Sequence, residues 1–207
     1  MRTHRIMRSR RMAALVVAVV LAFGGLLLLS WGQPVAVAKM PCCEYSTTLV
    51  DQLAQGRLAT AKYATNLATA KADGYQIITP MMPNMGIHFL NPSIQGFDIR
   101  KPPILVYEHQ GNSWQLGALE WVFPEMPKTP PLENATFGFF SAACHYVDGT
   151  FVPALKQSAC APKSPESGAA FNFWHPDLIT MHVWLWYPNP AGLYSGTNPL
   201  VAPFDGG

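Results

Sequence analysis

Residues 171–192 read F-N-F-W-H-P-D-L-I-T-M-H-V-W-L-W-Y-P-N-P-A-G, the densest aromatic run of the chain, and they hold two of its six histidines. From Thr180 to Tyr187 every residue is apolar, aromatic, β-branched or His, which is the composition of a strand covered on both faces. Alternation along such a strand puts His182, Trp184 and Trp186 on one face and Met181, Val183 and Leu185 on the other. An imidazole carried into the interior this way needs polar partners. The rest of the chain is read for elements that pair with this strand and for groups that reach His182.

Ahead of it, the pattern predicts one helix over residues 46–73, opened by a T-x-x-D capping box from Thr48 to Asp51 and closed by Gly74 at the C′ position. Leu49, Leu53, Ala64, Leu67 and Ala68 form its apolar stripe, and Gly56 is expected to divide it into a loose first part and a firmer second one. After Gly74 the period turns to two. Strands are expected over residues 75–79, 85–90, 104–109, 116–123, 136–140 and 180–187, with a hairpin at His109–Ser113. Proline-rich loops separate them at 124–131 and 161–168. The fold class is α+β: an N-terminal helix packed on a curved antiparallel sheet, a cone or partly open barrel.

Composition sets the compartment. Residues 1–38 carry five arginines, an uninterrupted apolar run from Met12 to Leu29 and a small-x-small site at Ala36-Val37-Ala38, the layout of a cleavable export signal, with an uncleaved anchor as the alternative. A single domain over 39–207 is expected to follow, periplasmic or secreted, touching a membrane only through the N-terminal segment. Five of the 14 Lys and Arg lie in the signal, so nine face 12 Asp and Glu in the remainder, a net charge of about −3. No basic stripe runs through it, which argues against nucleic acid as a partner. An oxidising compartment makes disulfides the default, and a Cys144–Cys160 bridge would close a loop containing Asp148-Gly149 and Pro153. Cys42 and Cys43 are adjacent and cannot easily bridge to each other, which leaves the oligomeric state open.

Two constellations carry the chemistry. M-M-P-N-M-G-I-H, residues 81–88, gathers three thioethers and an imidazole, a soft ligand set suited to copper; the structural alternative is core filling by the methionines. The second is His88 with His182 and Glu120, the last in L-E-W at mid-strand, where a buried carboxylate must be paired, protonated or bound to a cation. Two imidazoles and one carboxylate from three strands would leave positions open on a divalent metal, as zinc hydrolases and non-haem iron sites require; a structural Glu–His hydrogen bond is the competing reading. His175, in His-Pro-Asp before the last strand, reads either as an outer ligand or loop base at the pocket mouth or as a turn-capping surface group, and His145 and His109 are read as surface residues. Nucleophile-elbow, P-loop, dinucleotide-glycine and HExxH patterns are absent from the sequence.

A-K-A-D-G-Y (70–75), M-G-I-H (85–88), L-E-W (119–121) and the closing H-V-W-L-W-Y-P-N-P-A-G followed by Asn198-Pro199 together resemble a group of exported bacterial proteins to which no activity is assigned. The resemblance spans most of residues 39–207. It implies one domain and singles out His88, Glu120 and His182.

The leading expectation is an exported metal-binding domain, with His88, His182 and Glu120 as ligands, Met85 as a soft fourth, and copper, zinc or iron as the cofactor. The alternative is a non-catalytic module whose cavity, lined by Trp184, Trp186, Trp121 and Tyr107, holds a small apolar or sugar-like ligand.

Overall fold

The computed structural model describes residues 45–205. The export segment read over 1–38 and the Cys42–Cys43 pair lie outside the described residues. Among those described, no helix is long and apolar enough to cross a membrane.

The chain opens with a helix, but not the one continuous helix its pattern predicts. Helix α1 spans Thr47–Thr60, a 3-10 turn follows at Ala61–Tyr63, and α2 spans Leu67–Ala72. The break comes from the sheet. The Ala64 carbonyl is taken by the Leu116 amide at 2.7 Å, and the Tyr63 carbonyl, shared between the Tyr107 hydroxyl at 2.7 Å and a single turn bond from the Asn66 amide at 3.2 Å, does not continue the α-helical ladder. Asn66 then starts α2 afresh, its side chain accepting from the Thr69 amide at 3.0 Å. The N-terminal cap is Ser46, not Thr48: its hydroxyl accepts from the Leu49 amide at 3.1 Å. Gly56 does not loosen the helix either. It is buried, and a Cβ there would lie 3.1 Å from Ile99, so the glycine lets helix and loop approach. At the far end the C′ glycine is as expected: Gly74 has φ +99°, and the bonds Tyr75 N–H to Ala70 O and Gly74 N–H to Lys71 O complete a Schellman motif.

The β elements are β1 Gln76–Ile77, β2 Ile87–Leu90, β3 Ile104–Gln110, β4 Ser113–Phe123, β5 Gly138–Phe140, β6 Ala143–Tyr146, β7 Phe151–Pro153, β8 Phe171–His175 and β9 Leu178–Val183. They form two antiparallel sheets that do not close into a barrel, one in the order β1-β2-β3-β4-β9-β5 and one in the order β7-β6-β8. The α+β class and the open antiparallel sheet follow the sequence pattern. The second sheet was not anticipated. The aromatic stretch 171–192 is therefore two strands in different sheets, joined at Pro176-Asp177, where Asp177 fixes the crossing by accepting from the Ala142 amide at 2.8 Å.

Register decides what each face of the larger sheet carries. Leu90, Ile104, Glu120 and His182 lie side by side across four strands, as do His88, Val106 and Ala118 across three. Period two then puts all of these on one face and Phe89, Leu105, Tyr107, Leu119, Trp121, Met181 and Val183 on the other. The second set packs against Leu49, Tyr63, Leu67 and Ala70 of the helical segment to make the main core. The first set looks toward the smaller sheet.

The turn into β2 is held from the C-terminal side. Asn84 donates its amide to both Asp205 carboxylate oxygens at 3.0 Å, and its carbonyl accepts from the Asn198 amide at 2.7 Å. Gly86, at φ +107°, is the tight point of this turn, since a Cβ there would sit 2.7 Å from the Tyr107 carbonyl oxygen and 2.8 Å from Glu108. Gly86→Ala is expected to cost about 1–3 kcal/mol from left-handed strain alone, and more from the backbone clash, read as a lower midpoint in thermal denaturation.

Candidate metal centre

Three strands of the larger sheet each contribute an ionisable side chain to the face turned toward the smaller sheet, β4 and β9 as neighbours and β2 with β3 between it and β4. His88 from β2, Glu120 from β4 and His182 from β9 are all buried, and their ligating atoms lie within 4.8 Å of one another. His88 Nε2 is 3.4 Å from His182 Nε2 and 3.4 Å from Glu120 Oε2, while His182 Nε2 is 3.6 Å from Glu120 Oε1. The His88 ring is oriented through its other nitrogen, with Nδ1 3.0 Å from the Thr79 hydroxyl, which also accepts the His88 amide at 3.0 Å. Nε2 is thereby turned toward its neighbours.

Burial controls the charge. It pushes the His88 imidazole down to about 3, helped by His182 beside it, and the His182 imidazole down to about 4. It pushes the Glu120 carboxyl up to about 8. The distances fall within ion-pair range, yet burial favours the neutral form of each of the three groups, which works against holding them as a salt bridge. A divalent cation among them would reverse the balance: it would favour the ionised carboxylate and give both Nε2 lone pairs a partner.

The triad forms part of the wall of a cavity of about 360 Å³ between the two sheets. Met82 and Met85 also line it, so the Met85 side chain reaches the cavity that the three-residue group faces. The opposite wall comes from the smaller sheet, where His145 and His175 meet with Nε2 atoms 3.0 Å apart. His175 also lines the cavity. His145 corrects the surface reading: it is 1% exposed, on the strand the pattern missed. His109 stacks on Trp114 with centroids 4.1 Å apart, away from the site.

The cavity is lined by phenylalanine and not by tryptophan. Trp121 and Tyr107 face the helices, where Trp121 packs on Phe97. Trp184 shares the face of His182 but is packed among Val106, Ala118 and Val201, its indole N–H donating to the Ser195 carbonyl at 2.7 Å. Trp186 lies beyond the end of β9, donates to the Thr60 hydroxyl at 2.9 Å and has the Arg57 guanidinium over its ring. The alternation does not reach Trp186, because the Leu185 amide turns back onto the Val183 carbonyl at 2.8 Å where β9 ends. Phe139, Phe140 and Phe173 supply the aromatic wall instead.

A second buried carboxylate had no sequence signal beyond its place in a strand. Glu108 is 1% exposed, both its oxygens lack a hydrogen-bond partner, and burial, with the Asp205 carboxylate adding to it, pushes its carboxyl up to about 8. A carboxyl whose folded pKa is raised stabilises fully below its ordinary value near 4.5, and that stability is lost as pH rises through about 8. The Tm of Glu108→Gln should therefore gain on that of wild type as pH rises from 5 to 9. Glu120 is common to both chains and cancels. A constant gap across that range would mean that Glu108 does not titrate there.

The fold and site together define an α+β domain with a buried two-histidine, one-carboxylate cluster opening on an internal cavity. No family model, curated protein or solved structure matches the chain.

Proposed function

We propose that the protein is an exported metal-binding protein whose centre is His88, Glu120 and His182, with zinc as the ion and a fourth position turned toward the cavity. The spacing of the three ligands carries this reading. Ligands about 2.0–2.1 Å from a tetrahedral ion stand about 3.3–3.4 Å apart. The two imidazole nitrogens stand 3.4 Å apart, and each has its own Glu120 oxygen nearby, Oε2 at 3.4 Å from His88 and Oε1 at 3.6 Å from His182, so the carboxylate would meet an ion between the rings with both oxygens or turn to present one. A carboxylate as third ligand suits zinc or ferrous iron better than cuprous copper, for which Met82 and Met85 would have to supply the soft donors. Three protein ligands with an open position are the pattern of sites that exchange water or substrate, and the mostly apolar cavity limits that visitor to a small molecule with little charge. Export is supported by the arginine-rich, then apolar, start of the chain and by the Cys144–Cys160 disulfide.

Elemental analysis of the full chain, purified without a His tag, tests the reading: wild type should carry at least about one equivalent of zinc, and Glu120→Gln about one equivalent fewer than wild type. Copper in its place would move the assignment to the thioethers. A metal-free chain that takes up none of the three ions on titration would remove the proposed centre. The open position is tested separately by cobalt(II) substitution, where added thiocyanate or imidazole should change the visible spectrum; no change would mean a closed, structural site.

A further inference from the structure

The geometry points to a second divalent-cation site in the same cavity, made by His145 of β6 and His175 of β8 on the wall facing the triad. The tautomers are set by the backbone. His145 Nδ1 lies 2.7 Å from the Ile78 carbonyl oxygen, and His175 Nδ1 lies 2.6 Å from the Pro176 carbonyl oxygen. A carbonyl can only accept, so each Nδ1 carries the ring hydrogen, and each neutral ring is left with a bare lone pair on Nε2. Those two lone pairs face each other at 3.0 Å with no hydrogen to share. Two acceptors held this close repel unless a cation lies between them. Two nitrogens 3.0 Å apart, each about 2.0–2.1 Å from one ion, subtend about 90–100°, an ordinary angle between neighbouring ligands.

The support around the pair is of the kind metal-bound histidines have, with the remote nitrogen of each ring donating to a fixed oxygen. One short segment serves both walls, since the Ile78 carbonyl orients His145 and the Thr79 hydroxyl orients His88. Phe173 stacks on His145 with centroids 4.6 Å apart and an interplanar angle of 5°, which fixes that ring's plane. The second ion would have only two protein ligands and several positions open to the cavity.

Zinc titration of the chelator-treated full chain tests the site. His145→Ala/His175→Ala should bind one equivalent fewer than wild type, while His109→Ala should bind as many as wild type. His88→Ala/His182→Ala should also lose one equivalent, and this separates the two sites. If only the His145/His175 variant loses an equivalent, the second site stands and the triad does not; if only the triad variant does, the inference is overturned and the triad stands. Should the His145/His175 variant not fold, ¹⁵N NMR of wild-type imidazoles decides. Both Nε2 resonances should move on addition of zinc. Resonances that stay put at zinc saturation, or that show a proton shared between the rings, overturn the site.

Discussion

Zinc should raise the thermal midpoint of the wild-type chain by about 5–10 °C when present at roughly 100 times its dissociation constant, and this shift should fall sharply in His88→Ala/His182→Ala. The size follows from linkage: a ligand at that excess stabilises the folded state by about 2.7 kcal/mol, and each kcal/mol moves the midpoint of a domain this size by about 2–4 °C. Loss of an outer-shell partner alone weakens metal sites about 10–100-fold, so removing two direct ligands should exceed that range at the triad. The metal-free variant also has a readable signature. Both imidazoles have folded pKa values pushed below the ordinary 6.5, so the stability they contribute is present above that value and lost as pH falls toward about 3–4. Without them the variant should lose less stability than wild type between pH 6 and pH 4, measured in chelator. Equal zinc shifts in both chains would mean that the stabilising ion binds elsewhere.

The second large effect concerns the disulfide. Cys144 and Cys160 are 16 residues apart and bridged, and a loop of that length stabilises by about 3 kcal/mol in the chain-entropy model. Cys144→Ser/Cys160→Ser should therefore lower the midpoint by about 6–12 °C. Cys144 sits at the centre of β6, between β7 and β8, on the strand that carries His145. All three triad residues are in the other sheet, so zinc affinity at the triad should stay within about tenfold of wild type while the cavity wall loosens. A fall in triad affinity as large as that from Glu120→Gln would show that the smaller sheet positions the ligands, contrary to the register described above.

The parts of the fold that are legible in the sequence are those in which period two runs over several residues. β3 and β4 alternate around a two-residue turn at Gly111-Asn112, with one register shift between Val106 and Tyr107, and His88, Glu120 and His182 fall on one face because the rows that hold them are two residues apart. The helix pattern runs on past Thr60 because nothing local to residues 61–66 marks the break; partners more than 40 residues away take the Ala64 carbonyl and share the Tyr63 carbonyl with a single turn bond. The smaller sheet was missed for another reason. β6 and β7 have four and three residues, too short to establish a period, and the Asp148-Gly149 turn between them reads equally well as a loop inside a disulfide. Without that sheet in the pattern, His145 has no partner strand and reads as a surface residue, and the aromatic run suggests a tryptophan-lined cavity where phenylalanines form the wall. A strand end is set by hydrogen bonding and not by composition, so the continuous apolar run through Tyr187 concealed the stop at Val183.

The most direct test is an anomalous diffraction map of crystals grown with zinc, collected at the zinc edge. The account predicts a peak about 2.0–2.1 Å from Nε2 of both His88 and His182 and in bonding contact with the Glu120 carboxylate. Density that leaves those three residues in hydrogen-bonded contact, with zinc absent or bound only at the protein surface, would contradict it.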